Sequence, residues 1–224
     1  MRIFTACLSL ILLCGAAEAQ KTISFPTEDG GTIFADVYGS GEKAVVLAHG
    51  GRFNKESWQK QAPVLVDAGF QVLALDFRGR GKSRGPDDTD LMSSRLYLDV
   101  LGAVQYLRQA GVKSVSVVGA SLGGGAAGDA SIKGPADEID RVVFLGSAPN
   151  EPADKLKSRS LFIVARDDAS ADGPRLPGIR AQFERAPEPK ELIVVDGSAH
   201  AQFLFETDQG ERVMREIVHF LTAK

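Results

Sequence analysis

The sequence predicts an α/β fold in which a mostly parallel sheet of about eight strands carries helices on both faces. Eight short apolar runs alternate along the chain with segments of helical periodicity. The central runs are almost continuously apolar, which is typical of strands covered on both faces. Two of the segments between them stop at a glycine, as helices often do.

The first two strand-like runs are residues 22–26 and 32–38. Asp29, Gly30 and Gly31 lie between them, and an Asp-Gly pair is a strong signal for a hairpin. We therefore expect an antiparallel hairpin at the start of a mixed sheet.

The remaining elements alternate between the two types. The predicted strands are residues 43–49, 70–75, 114–118, 141–145, 160–165 and 191–195. The predicted helices are residues 55–68, 91–110, 121–132, 179–185 and 211–222. No repeat, low-complexity tract or linker separates them, so the sequence indicates one domain over residues 20–224.

Residues 1–19 have the features of a secretory signal peptide. Arg2 supplies a positive start, an apolar run follows, and Ala17-Glu18-Ala19 is a small-x-small cleavage site. We expect a mature chain that begins at Gln20 and is secreted or periplasmic. An uncleaved anchor is one alternative. A lipoprotein modified at Cys14 is another, and it is disfavoured because the large Leu13 precedes that cysteine.

Composition narrows the function classes. Both cysteines, Cys7 and Cys14, lie in the signal segment, so the mature chain has no disulfide, thiolate metal site or cysteine nucleophile. The hydrophobic fraction of 44%, the charged fraction of 25% and the net charge of -3 are ordinary for a globular protein. They give no reason to expect nucleic acid as a partner. No later apolar run is long enough for stable membrane insertion.

The clearest chemical signal is the pentad Gly-x-Ser-x-Gly that ends at Gly123. It follows the strand-like run of residues 114–118 and precedes a helix of small residues. This context predicts a nucleophile elbow, a sharp strand-to-helix turn that exposes the Ser121 hydroxyl. Gly119 and Gly123 leave the room that such a turn requires. The N–H of Leu122 then lies beside the Ser121 oxygen, where a developing oxyanion needs a donor.

A serine nucleophile requires a base, and the chain offers three histidines. His200 lies in a loop just after a predicted strand, at the same sheet edge as Ser121. His219 lies in the last predicted helix, which packs on a face of the sheet. We therefore expect His200 to be the base.

The base in turn requires a carboxylate that orients it. Asp167 and Asp168 follow the predicted strand at residues 160–165. Asp168 lies further into the loop and is better placed to reach the next strand, so we favour it over Asp167. Asp196 is close to His200 in sequence, but a rigid turn would direct it elsewhere.

Taken together, these motifs resemble the α/β-hydrolase superfamily over essentially the whole mature length. The matching segments are His49-Gly50-Gly51, residues 76–83, Gly119 to Gly123, Asp168, and residues 197–200. The chain order of serine, aspartate and histidine is the order that this superfamily uses.

The resemblance implies further roles. The N–H of Gly51 would face that of Leu122 as the second oxyanion donor, with Arg52 as the alternative. His49 would be structural, and residues 76–83 would support the fold without taking part in the chemistry. Only residues 146–159 separate two predicted strands where many members insert a cap. An open pocket is therefore implied, similar to that of compact hydrolases of the dienelactone-hydrolase type. Those often use cysteine, so their specific activity does not transfer to Ser121.

The sequence therefore predicts a serine hydrolase that cleaves a small-molecule carboxylic ester through an acyl-enzyme. A peptidase, thioesterase or lactonase would use the same residues, and a ligand-binding protein on this fold is a further alternative. We expect no metal, since Glu216 and His219 form only an isolated pair. We expect no dinucleotide cofactor, since Gly123, Gly125 and Gly128 fall within a helix pattern.

Overall fold

The computed structural model describes residues 20–91 and 95–223, so the predicted signal peptide lies outside the described residues. Its main sheet has eight strands in the order β1-β2-β4-β3-β5-β6-β7-β10. These strands are β1 Lys21–Pro26, β2 Thr32–Tyr38, β3 Lys43–Ala48, β4 Gln71–Leu75, β5 Ser114–Ala120, β6 Arg141–Leu145, β7 Arg159–Ala165 and β10 Lys190–Val195. A separate two-stranded ribbon consists of β8 Ala169–Ser170 and β9 Gly173–Pro174.

The strand directions confirm the predicted mixed sheet. β1 and β2 form an antiparallel hairpin, and β2 also pairs antiparallel with β4. Every other neighbouring pair in the main sheet is parallel. The short β8–β9 ribbon was not predicted, because its two-residue strands leave no periodic pattern in the sequence.

Helices cover both faces of the sheet, as the apolar strands predict. They are α1 Gln61–Asp67, α2 Tyr97–Gln109, α3 Leu122–Lys133, α4 Leu176–Arg185 and α5 Gly210–Thr222. α2, α3 and α4 pack on one face through residues such as Val104, Ala127 and Ile179. α1 and α5 pack on the other face through residues such as Leu65 and Ile217.

Two prolines account for two of the helix boundaries that differ from those predicted. Residues 55–68 form a 3₁₀ turn at Lys55–Trp58 and then a separate helix, α1. Proline is tolerated in the first turn of a helix but not in its interior, so Pro63 excludes one continuous helix. Pro177 lies in the first turn of α4, which begins earlier than expected. α2 begins at Tyr97, later than predicted.

No cap covers the carboxyl edge of the sheet after β6. Residues 146–158 contain only a short 3₁₀ turn, Ala153–Lys155, before β7 begins at Arg159. This confirms the compact form expected from the sequence. No helix of the described residues has the length and apolar character that crossing a membrane would require.

A buried ion network holds the loop of residues 76–83. The Arg78 side chain has no solvent-exposed area. Its guanidinium donates hydrogen bonds to the carboxylates of Asp29 and Asp99. It also donates to the carbonyl oxygen of Pro86. All five N–H groups of Arg78 therefore have acceptors. The hydrogen bonds from Arg78 lower the pKa of Asp29 to about 2.

Candidate active site

The carboxyl ends of four parallel strands bring the predicted site residues together. β3 leads into Gly50 and Gly51, and β5 leads directly into Ser121. Asp168 follows β7 and His200 follows β10, the strand that pairs with β7. Loops at the same edge of a parallel sheet converge, which is why residues distant in sequence meet here.

Ser121 occupies the sharp turn that the pentad predicts. It has φ 50° and ψ -116°, a conformation that non-glycine residues seldom adopt. A Cβ on Gly119 would overlap the carbonyl oxygen of Gly123, and one on Gly123 would overlap that of Ala48. The two glycines therefore permit the close approach of strand and helix that holds Ser121 in this strained state.

His200 links Ser121 to Asp168 by two short hydrogen bonds. Its Nε2 lies 2.8 Å from the Ser121 Oγ, and its Nδ1 lies 2.8 Å from Asp168 Oδ2. Because a carboxylate only accepts, the proton of the neutral imidazole lies on Nδ1 and Nε2 is free to accept the serine hydroxyl. Asp168 is fully buried, whereas Asp167 is exposed and its N–H bonds to the carbonyl of Gly197.

Gly146 makes room for this pair of side chains, a role that our sequence analysis missed. It follows β6 with φ 59°, and a Cβ there would lie 3.1 Å from both Asp168 Oδ2 and His200 Nδ1. A glycine immediately after an apolar strand was the available signal.

The second oxygen of Asp168, Oδ1, lies 3.4 Å from Arg175 Nε. Arg175, likewise not predicted, therefore places a positive charge behind the carboxylate.

Gly51 and Leu122, whose N–H groups are the predicted oxyanion donors, lie on segments that approach each other. Leu122 is the first residue of α3, so its N–H has no acceptor within the helix. The carbonyl oxygen of Gly50 accepts from His49 Nδ1 at 2.8 Å and from the Phe53 N–H at 3.0 Å. In a trans peptide the carbonyl of one residue and the N–H of the next point in opposite directions. The Gly51 N–H therefore points away from His49 and the Phe53 N–H. A Cβ on Gly51 would lie 3.6 Å from Leu122 Cδ2.

His49 is buried beside this loop. Its Nδ1 donates to the Gly50 carbonyl, while its Nε2 accepts from the N–H of Phe77 at 3.2 Å. Burial lowers the pKa of His49 from 6.5 to about 4, so the ring is neutral at pH 7. The contacts agree with the structural role that the family resemblance implies.

Two further side chains hold the loop of residues 50–53 and were not identified from sequence. The Oε1 of buried Gln202 accepts from the Gly50 N–H at 2.7 Å, and its Nε2 donates to Ser57 Oγ at 2.7 Å. The Arg80 guanidinium donates to the Gly51 carbonyl oxygen. Gln202 lies two residues after His200, which was the only signal for it.

Two clefts meet at Ser121. The first, of about 640 Å³, lies between the loop of residues 50–53 and the His200 loop. The second, of about 660 Å³, lies between residues 146–150 and the segment from the β8–β9 ribbon to α4. Among the described residues, no group of histidine, cysteine, aspartate and glutamate side chains is arranged to hold a metal ion.

The family of the chain follows from its sequence. A family model for the α/β-hydrolase fold matches residues 43–205, which include the loop of residues 50–53, the elbow, Asp168 and His200. The chain belongs to the α/β-hydrolase family. The match ends just after the His200 loop, so it spans all four strand ends that form the site.

Curated relatives in this family differ in their named activities. Over 132 residues the chain is 33% identical to bifunctional epoxide hydrolase 2 of Sus scrofa, covering 55% of this chain and 23% of that protein. Over 124 residues it is 32% identical to a bifunctional esterase/perhydrolase of Acinetobacter calcoaceticus, covering 55% and 44%. The chain thus spans less than half the length of these relatives.

Solved structures show the same α/β-hydrolase fold over most of the chain. An esterase from Pyrococcus furiosus superposes with a TM-score of 0.74, covering 91% of each chain at 19% identity. An esterase from Exiguobacterium antarcticum has a TM-score of 0.71, covering 89% of this chain and 99% of its own, at 16% identity. At these identities the likeness concerns the fold.

Proposed function

We propose that the protein is a serine hydrolase that cleaves carboxylic esters through an acyl-enzyme intermediate. One observation carries the proposal: the Ser121 Oγ, the His200 imidazole and the Asp168 carboxylate form a continuous hydrogen-bonded chain with both links at 2.8 Å. A hydroxyl in this arrangement can lose its proton to the imidazole as it attacks. The strained φ of Ser121 is a further mark of a functional position.

The proposed reaction begins when Ser121 Oγ attacks the ester carbonyl carbon and its proton passes to His200 Nε2. Asp168 holds the ring and stabilises its protonated form. The N–H groups of Gly51 and Leu122 stabilise the tetrahedral oxyanion. His200 then gives the proton to the departing alcohol oxygen, leaving an acyl group on Ser121. His200 then takes a proton from a water molecule as the water oxygen attacks the acyl carbon. The bond between that carbon and Ser121 Oγ breaks, His200 returns the proton to Ser121 Oγ, and the acid is released.

Esterases are among the proteins to which this chain is similar, beside epoxide hydrolases and haloperoxidases, and they support ester cleavage as one activity of this family. A curated relative is named an esterase/perhydrolase, and two superposing structures are named esterases. Thioesters, lactones and peptides would react through the same residues. A panel of these substrates, matched in acyl group and compared by kcat/KM, tests whether the ester is preferred.

The direct test is hydrolysis of 4-nitrophenyl acetate by the purified protein. We expect turnover that Ser121→Ala abolishes, whereas the control Ser116→Ala, a buried serine on β5, retains it. Turnover by Ser121→Ala equal to that of the unaltered protein would exclude the proposed nucleophile.

The alternative of a ligand-binding protein makes a different prediction. An activated serine forms a covalent adduct with a fluorophosphonate, and an idle serine does not. We expect intact-mass analysis to show one adduct, located on Ser121 by peptide mapping. An unlabelled but folded protein would favour a binding role.

We also propose that residues 1–19 direct export and are removed after Ala19. The support is the charged start, the apolar run and the small-x-small site in the sequence. Expression of the full chain in a bacterium and mass analysis of the exported protein should give a chain that begins at Gln20. A product that retains Met1 in the cytoplasm would contradict this proposal.

A further inference from the structure

The two clefts that meet at Ser121 differ in chemical character. The first cleft is lined by two phenylalanine rings, Phe53 and Phe203, together with Leu91, Leu122 and three arginines, Arg52, Arg80 and Arg175. The second has no aromatic ring among its lining residues, which combine the polar Ser147, Asn150, Asp172 and Gln182 with the apolar Ala148, Pro174 and Ile179. Ser121 and Leu122 border both clefts, so an ester bound at Ser121 has room to extend one of its two halves into each.

The position of His200 decides which half enters which cleft. In the proposed reaction His200 Nε2 delivers a proton to the departing alcohol oxygen, so the alcohol half must lie against the imidazole. His200 lines the first cleft and is absent from the lining of the second. The alcohol half therefore belongs in the first cleft and the acyl half in the second.

A pair of aromatic rings forms part of the first cleft's wall. The ring centroids of Phe53 and Phe203 are 5.1 Å apart with an interplanar angle of 57°. Phe203 is 38% exposed, an unusual exposure for a large apolar side chain in this fold. The two rings flank the chemistry in sequence as well, since Phe53 follows Gly51 by two residues and Phe203 follows His200 by three.

We propose that Phe53 and Phe203 determine specificity for esters of bulky apolar alcohols, above all alcohols that carry an aromatic ring, with a short or polar acyl group. The inference rests on the proposed ester hydrolysis and adds the substrate class. An aromatic ring on the alcohol half contacts the exposed ring of Phe203 and the half-buried ring of Phe53 and removes apolar surface from water. An aromatic or long apolar acyl group meets no ring in the second cleft, whose lining mixes polar and apolar side chains, and gains less.

The experiment compares substrates that differ only in one half of the ester. 2-Phenylethyl acetate and ethyl acetate share an acyl group and have alcohols of similar acidity, so they isolate the alcohol half. Ethyl 3-phenylpropanoate and ethyl acetate share an alcohol and isolate the acyl half. We expect kcat/KM to rise about tenfold with the phenyl ring on the alcohol and much less with the ring on the acyl group.

Variants of the aromatic wall test the assignment. We expect Phe53→Ala and Phe203→Ala each to lower the ratio of kcat/KM for 2-phenylethyl acetate over ethyl acetate by about threefold. The ratio cancels any general loss of activity, and circular dichroism with thermal unfolding reports whether the variants fold. Val64→Ala is the matched control, because Val64 is a similarly exposed apolar side chain, at 41%, on α1 outside both clefts.

The outcomes separate this inference from the proposed function. If the protein hydrolyses ethyl acetate through Ser121 but shows no preference for the phenylethyl ester, the aromatic wall has no role in specificity and ester hydrolysis stands. A preference confined to ethyl 3-phenylpropanoate would overturn the assignment of the clefts. If no ester is cleaved, the proposed function itself fails. An unchanged ratio in both folded phenylalanine variants would also overturn the inference.

Discussion

Gln202 accepts a hydrogen bond from the backbone N–H of Gly50 at 2.7 Å, although the two residues are 152 positions apart in the chain. Gly50 precedes Gly51, a proposed oxyanion donor, and Gln202 follows His200, the proposed base. One buried amide therefore fixes the distance between the two loops on which the proposed chemistry depends. Ser57 holds the other end of that amide.

We predict that Gln202→Leu lowers kcat by about tenfold, because loss of the bond to Gly50 lets the Gly51 N–H drift from the developing oxyanion. KM should change little, since the cleft walls remain. Ser57→Ala is the control, because it removes only the hydrogen bond between Gln202 Nε2 and Ser57. It should lower kcat by less than Gln202→Leu does. Steady-state kinetics on an ester measure both variants. A rise in KM at constant kcat would show that Gln202 shapes binding instead.

The two adjacent aspartates after β7 provide a matched pair. We predict that Asp168→Asn lowers kcat by about 10³–10⁴, because an amide no longer selects the imidazole tautomer that accepts from Ser121. Asp167→Asn should retain near-normal turnover, since its side chain is exposed and outside the hydrogen-bonded chain. Steady-state kinetics with the same ester measures kcat for both variants. Equal losses in the two variants would contradict the assignment of the carboxylate to Asp168.

Buried His49 predicts a specific acid sensitivity. Its pKa is about 4 in the folded protein and 6.5 in its ordinary state, so the unfolded chain takes up the proton first as pH falls. Stability from this group is fully present above pH 6.5 and is lost between pH 6.5 and 4, by about 3 kcal/mol. Urea unfolding at pH 7 and pH 4 measures the loss.

Between pH 7 and pH 4, we expect the free energy of unfolding of His49→Asn to fall by about 3 kcal/mol less than that of the unaltered protein. Asparagine can still donate to the Gly50 carbonyl but does not titrate. His219→Asn, on α5, is the control and should keep the full loss. An identical pH dependence in all three proteins would show that His49 does not contribute to it.

The ion network of Arg78 should matter more than an ion pair at the surface. We predict that Arg78→Met lowers the free energy of unfolding by about 3–5 kcal/mol, because Asp99 is left buried without a counter-charge. Lys113→Met is the comparison, since Lys113 and Glu42 form a pair whose side chains are 71% and 69% exposed. Lys113→Met should change the free energy of unfolding little, because an exposed ion pair contributes little to stability. Chemical unfolding at pH 7 measures both, and similar losses would contradict the prediction.

Sequence pattern was sufficient for much of the fold because each element leaves a local trace. The strands β3 to β7 bury both faces and read as apolar runs, and the Gly-x-Ser-x-Gly turn requires glycines wherever it occurs. Boundaries were less certain where a single proline decides them, as at Pro63. The β8–β9 ribbon was missed since two residues per strand form no pattern.

The sequence by itself determined the α/β-hydrolase fold and the residues from which a site could be built, because backbone periodicity and turn geometry are local properties. Only the tertiary structure decided which of those residues meet. Ser121 and His200 are 79 positions apart, and His200 and Asp168 are 32 apart, yet each pair lies within 2.8 Å. The roles of Gly146, Gln202 and the Phe53–Phe203 wall were assigned only there, because they lie in contacts between loops that no local sequence pattern brings together.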